Sequence, residues 1–173
     1  MGADEFTGVP HPTPTPTPSP TPSGIPGRIN VPGDYDTIQE AVDAAEEGDE
    51  LVVYHATYKE NVKIKGKNVT IRSSDPTSSG LVQKTVINGN YLGPVITFDG
   101  TEASSCVLSG FTIINGNNNS GGGIRGKGAS ASIINNRIVY NHALEDGAGI
   151  HDLDGLIQDN IIEFNRGEGS GSA

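Results

Sequence analysis

The 173-residue chain has room for one domain and a tail, carries 21 acidic against 11 basic residues for a formal net charge of −10, and contains 24 Gly, 11 Pro and no Trp. That charge repels polyanions and disfavours nucleic acid and anionic membranes as partners. No apolar run approaches the ~18 residues of a membrane span, so membrane insertion is not expected.

Residues 1–27 read as a Pro/Thr-rich tail or linker. Its first ten residues lack the basic start and apolar stretch of a signal peptide. Residues 11–22 alternate Pro with Thr or Ser, a pattern that favours extended polyproline II and spans roughly 37 Å at ~3.1 Å per residue. Such tracts resemble the linkers of secreted and cell-surface proteins, where the hydroxyls are often glycosylated. The expected setting is therefore extracellular or at the cell surface.

A short strand is expected at Arg28–Val31, followed by an amphipathic helix over residues 37–45. Thr37 and Glu40 have capping-box spacing, Ile38, Ala41, Val42 and Ala45 form one apolar stripe, and Gly48 sits where a helix ends. The narrow stripe suits a helix lying flat across the end of a core.

From Glu50 onward, short Ile/Val-rich runs alternate with turns. One set comprises residues 61–66, 94–100, 122–126 and 148–152; a second comprises residues 68–73, 106–115, 132–141 and 156–165. Three hexapeptides, beginning at Gly110, Asn136 and Asn160 and closing on Asn115, Asn141 and Asn165, align at offsets of 26 and 24 residues. A period in the mid-twenties with three strands per repeat signals a solenoid, because no repeat can bury its apolar face without the next. The fold expected for residues 28–173 is an all-β, right-handed parallel β-helix of about four to five coils with an N-terminal capping helix. Coils ~4.8 Å apart would stack the three closing Asn side chains into a hydrogen-bonded ladder at a left-handed bend.

The cap segment Asp36-Thr37-Ile38-Gln39-Glu40-Ala41-Val42-Asp43-Ala44-Ala45-Glu46-Glu47-Gly48-Asp49, joined to Leu51-Val52-Val53 and Thr57-Tyr58-Lys59-Glu60-Asn61-Val62, resembles the amino-terminal cap of the pectin-lyase-like superfamily, in its carbohydrate-associated repeat form. With the repeats, the resemblance covers roughly residues 28–165. His55-Ala56 stands where relatives often carry Pro-Gly. The resemblance implies the β-helix fold but leaves the activity open, since this scaffold serves lyases, hydrolases, esterases and non-enzymatic adhesins.

Signatures of polysaccharide hydrolysis or esterase chemistry are missing from the sequence. Asp152 and Asp154 offer the nearest thing to the paired carboxylates of a glycosidase, provided the strand continues far enough to place both on one side. A lyase would need Arg or Lys as base with Ca²⁺ or Lys to stabilise the anion. Arg125 and His151 are expected at equivalent positions on adjacent coils, and Asp146, Asp152 and Asp154 are the candidate Ca²⁺ ligands. The simpler account of all five is the polar outer surface of a solenoid, and no cofactor is expected. Cys106 reads as a small buried hydrophobe. Asn68 and Asn118 begin glycosylation sequons, of which Asn118 is expected to be accessible.

The repeat stops one residue before the strand of another coil. The C-terminal end is therefore expected to be open and covered by a neighbouring copy, by a longer parent chain, or by a donated strand such as residues 5–9. These features together suggest an extracellular structural or glycan-associated module, a self-assembling surface or filament subunit. The competing reading is the N-terminal part of a polysaccharide lyase or glycoside hydrolase.

Overall fold

The computed structural model describes residues 27–169. The Pro/Thr tract, the expected donor strand at residues 5–9 and the last four residues lie outside that range. Within it, the chain winds as a parallel β-solenoid whose strands, numbered in chain order, stack into sheets with every pair parallel. The longest sheet holds β1 (Arg28–Val31), β2 (Glu50–Val53), β5 (Thr70–Ser73), β8 (Val107–Ser109), β12 (Ser132–Ile134) and β16 (Ile157–Gln158). A second holds β3 (Thr57–Tyr58), β6 (Val86–Asn88), β9 (Thr112–Ile114), β13 (Arg137–Val139) and β17 (Ile161–Glu163). The third holds β4 (Val62–Lys63), β7 (Ile96–Thr97), β11 (Ile124–Ala129) and β15 (Ile150–Leu153). A narrow fourth, β10 (Asn117–Asn118), β14 (His142–Ala143) and β18 (Arg166–Gly167), exists only in the later coils. The first sheet gives six rungs, more than the four to five expected, because Arg28–Val31 forms a rung of its own ahead of the helix.

Alternation within each strand sends one row of side chains inward, and stacking turns each row into a ladder. Leu51, Ile71, Leu108, Ile133 and Ile157 lie in register down the first sheet. Tyr58, Ile87, Ile113, Ile138 and Ile162 do so down the second, and Val62, Ile96, Ile124 and Ile150 down the third. Phe98 and Phe111, both fully buried, are the largest side chains of the core. Each buried Ile or Leu contributes about 1.5–3 kcal/mol, so continuity of the ladders supplies most of the stability.

Several residues of the cap motif have structural tasks. Helix α1 (Ile38–Ala44) starts with a complete capping box between Thr37 and Glu40 and buries Ile38, Ala41 and Val42. It ends one residue earlier than the sequence implies, with Ala45 extended. The Glu60 carboxylate accepts from the Ile38 and Gln39 N–H groups at 3.0 and 2.9 Å, satisfying two donors of the first turn. Gln39 acts as a surrogate strand: its amide accepts from Lys63 N–H at 2.8 Å and donates to Lys63 O at 3.2 Å, so the edge of β4 is paired. At the other end of the helix, Lys67 Nζ donates to the carbonyls of Val42, Asp43 and Ala45 at 2.7–2.8 Å. Tyr58 Oη donates to Tyr54 O at 2.8 Å, and burial, aided by the Glu60 charge, pushes its pKa up to about 12.

Two ion pairs near this end set an acid limit on stability. The Lys65 ammonium, 2.8 Å away, holds the Asp43 carboxyl below its ordinary value, and Arg72 at 2.6 Å does the same for Glu50. A carboxyl depressed by folding stabilises the native state above its unfolded pKa, and that contribution disappears as pH falls through the folded one. The thermal midpoint should therefore start to fall as pH drops below 4.5, the ordinary value for Glu50, and continue falling below 3.8, that for Asp43. Asp43→Asn together with Glu50→Gln should flatten that slope in scanning calorimetry. The effect is small because both carboxylates stay partly exposed.

One helix has no counterpart in the sequence reading. Between β5 and β6 the chain leaves the solenoid and forms α2 (Ser79–Lys84), held by Thr85 Oγ1 on Leu81 O at 2.9 Å and by Thr112 Oγ1 donating to Val82 O at 2.8 Å. Gly110, at φ 84, makes this excursion possible, since any Cβ there would overlap Ser73 Oγ.

The Asn ladder exists with a different membership. Thr112 pairs with Arg137, and Ile113 with Ile138, so the first offset is 25 residues, not 26. Asn141 stacks on Asn165 but faces Gly116 on the preceding coil: the Gly116 N–H donates to Asn141 Oδ1 at 2.9 Å, and Asn141 N–H donates to Asn165 Oδ1 at 3.0 Å. A second ladder runs one corner away, from Phe111 N–H to Asn136 Oδ1 and from Asn136 N–H to Asn160 Oδ1, at 3.0 and 2.9 Å. The left-handed bend falls on Asn115, Tyr140 and Phe164, all at φ 56, so Asn141 and Asn165 sit one residue beyond it. Asn115 belongs to that bend and bonds Asn88 and Tyr91 instead.

Candidate functional site

The outward row of the third sheet carries the first candidate. Lys63, Thr97, Arg125 and His151 lie in register on successive rungs, so Arg125 and His151 are equivalent as expected. Lys63 and Arg125 are exposed, His151 is half-buried, and none of the three has an acidic side chain in salt-bridge range among the described residues. At ~4.8 Å per rung, Lys63 and Arg125 stand about 10 Å apart along the solenoid. The arrangement is a short cationic track on an otherwise acidic protein.

Asp152 and Asp154 do not alternate along one strand beside it. Strand β15 ends at Leu153, and Asp152 adopts φ 53, so alternation is broken between Asp152 and Asp154. The cause is a bulge: Arg125 pairs with His151 and Ala129 with Leu153, leaving Gly126, Lys127 and Gly128 opposite Asp152 alone. Asp152 and Asp154 are exposed, and Asp146 lies in the exposed turn before β15. Among the described residues no three His, Cys, Asp or Glu side chains group as a metal site, and Asp146, Asp152 and Asp154 are not brought together.

A carboxylate the sequence reading overlooked, Glu102, is almost fully buried. Its oxygens accept from Gly66 N–H at 2.9 Å, Asp99 N–H at 2.9 Å and Gly100 N–H at 3.0 Å, so it clasps two turns and is not free for chemistry. Cys106 is buried, as expected, and burial pushes its thiol up to about 12, leaving no thiolate at neutral pH. Asn118 is half-buried and donates to Ser120 O, whereas Asn68 accepts from Ala103 N–H at 2.7 Å. A cleft of about 150 Å³ lies between α2 and the corner formed by Asn135, Arg137 and Ile161. Its Arg137 is paired with Glu163 at 3.4 Å.

The most distinctive surface is the last described coil. Ile133 is fully buried but the next member of its ladder, Ile157, is 45% exposed; Ile138 is fully buried and Ile162 is 47% exposed. Phe164, 65% exposed, stacks on Tyr140 with ring centroids 5.5 Å apart and leaves its other face open. Strands β15 to β18 each pair on one side only among the described residues.

Comparison with protein-family models, with curated proteins and with solved structures finds no match.

Proposed function

We propose that this chain is a non-catalytic, extracellular β-helix module of the pectin-lyase-like type, structural or glycan-associated in role. The observation that carries it is the unbroken register of the inward side chains, from Leu51 to Ile157 and from Tyr58 to Ile162, which commits the repeats to one stacked core. The superfamily assignment draws its support from the cap, where Thr37, Gln39, Glu40, Tyr58 and Glu60 each make the contacts that the motif needs. The extracellular setting draws its support from the Pro/Thr tract.

A second reading, the N-terminal part of a polysaccharide lyase or hydrolase, draws on the cationic track of Lys63, Arg125 and His151. Incubation with polygalacturonate and alginate, followed by the ultraviolet absorbance of unsaturated products and by reducing-end assay, separates the two. No turnover is expected. Turnover that disappears in Arg125→Ala, His151→Ala or Asp152→Asn would establish the enzymatic reading and overturn the structural one.

A further inference from the structure

We infer that the cleft beneath α2 is a binding site for one neutral sugar ring of a glycan. The inference rests on the glycan-associated reading of the module and gives that reading a site.

The cleft follows from the way α2 leaves the solenoid. The outward row of the second sheet runs through Val86, Thr112, Arg137 and Ile161 on successive rungs. Helix α2 lies over this row at Thr112, which is buried and donates to Val82 O at 2.8 Å. One rung further on, the row emerges from under the helix at Arg137. The neighbouring corner, between the first and second sheets, makes the same step. Its left-handed positions follow the paired residues Ser109, Ile134 and Gln158, and are Gly110, Asn135 and Asp159 at φ 84, 57 and 54. Glycine at the first of them lets Pro76 pack directly on the bend, where a Cβ would overlap it. The next two positions raise polar side chains instead. Overhang, row and corner together bound about 150 Å³ on the flank of the solenoid, away from the cationic third sheet. A cavity of about 150 Å³ holds one six-membered ring.

The lining suits a polyol. Ser79 Oγ and the amides of Gln83 and Asn135 make no hydrogen bond among the described residues. Glu163 engages only Nη2 of Arg137, at 3.4 Å, which leaves Nε and Nη1 for a ligand. Asp159 accepts from Gln158 through Oδ2 alone, so Oδ1 is available as well. A hydroxyl and two amides both donate and accept, a guanidinium only donates and a carboxylate only accepts. Adjacent sugar hydroxyls do both, so they satisfy this mixed set, while Ile161, Val82 and Pro76 give the C–H face of the ring an apolar wall. The charge excludes an acidic sugar. Arg137 is one cation against the carboxylates of Glu163 and Asp159, on a chain of net charge −10, so the field at the cleft repels an anion.

Two-dimensional nitrogen–proton NMR of the full 173-residue chain tests the inference, with the methyl pyranosides of glucose, galactose and mannose each added to about 20 mM. At least one of the three should shift the side-chain amides of Gln83 and Asn135 and the Arg137 Nε–H, saturably, with a dissociation constant of about 1 mM, as expected for a ligand of this size. Gln83→Ala and, independently, Asn135→Gly should each weaken binding about fivefold or more, the loss of one neutral hydrogen bond. Neither threatens the fold: Gln83 is exposed on α2, and glycine keeps the left-handed bend at residue 135. Signals remote from the cleft verify folding in each variant. Absence of shifts with all three glycosides overturns the inference, as does unchanged affinity in both variants. Tighter binding of galacturonate or of glycine than of every neutral glycoside also overturns it, because the site would then select an anion or a zwitterion. Shifts at Arg125 and His151 instead would move the sugar to the third sheet, which overturns this site and keeps the glycan-associated reading. Turnover, measured separately, is what overturns the non-catalytic reading.

Discussion

Asn141→Ala is expected to lower the free energy of unfolding by about 3 kcal/mol, whereas Asn165→Ala, the same substitution one coil later, should cost about 1 kcal/mol or less. Asn141 is 1% exposed, and its amide is fully engaged. Nδ2 donates to Ile113 O and Val139 O at 3.0 and 3.1 Å and to Asn165 Oδ1 at 3.0 Å, while Oδ1 accepts from Gly116 N–H at 2.9 Å. Truncation removes the side-chain donor to two carbonyls and the side-chain acceptor of the buried Gly116 N–H, and a buried group orphaned in this way costs about 1–3 kcal/mol before relaxation. Asn165 makes the homologous bond to Ile138 O at 2.8 Å, but it is half-buried on the last described coil, where water can replace the lost amide. Urea titration of the two variants measures the difference. Equal losses would mean that the last coil is as dry as the one before it, as it would be if something covered it.

The contrast between these two asparagines is one that a sequence records only in part. The cap was legible because its tasks are local: a capping box, an apolar stripe and the downstream Tyr58 and Glu60 leave a recognisable pattern. The solenoid was legible because stacking requires the same inward residue on every coil, as in Ile113, Ile138 and Ile162. The first ladder offset is 25 and not 26 because Asn115 and Asn141 share a residue type but not a position. Asn at a left-handed bend and Asn bridging two coils look identical in a sequence, although only the second buries its amide. Helix α2 escaped because six residues, Ser-Gly-Leu-Val-Gln-Lys, are too few to show a period, and what holds them is tertiary: Thr112 on the next coil bonds to Val82. Glu102 escaped because a carboxylate that accepts three backbone N–H groups has no signature beyond being acidic. On the outer face, Arg125 and His151 were placed correctly, whereas the Asp152 and Asp154 alternation failed at the bulge opposite Gly126, Lys127 and Gly128.

The largest effects of all should come from glycines packed directly against backbone, either across a turn of their own coil or against the next coil. A Cβ on Gly116 would overlap the carbonyl oxygen of Gly122, and a Cβ on Gly122 would overlap that of His142. Both obstacles are backbone, and backbone on coils ~4.8 Å apart cannot step aside without breaking the adjoining rungs. Gly116 N–H is also the donor to Asn141 Oδ1, so displacing it disturbs the Asn ladder as well. Gly116→Ala and Gly122→Ala should each cost about 4 kcal/mol or more, enough to leave little soluble folded protein. Gly80 provides the contrast. It lies inside α2, where the nearest atom to an added Cβ is Ser78 Oγ at 4.0 Å, and its φ is not left-handed. Gly80→Ala should therefore be neutral or stabilise the protein by up to about 1 kcal/mol, through helix propensity and a less flexible unfolded chain. Soluble yield and urea midpoints for the three variants separate a clash with backbone from the ordinary cost of changing a glycine.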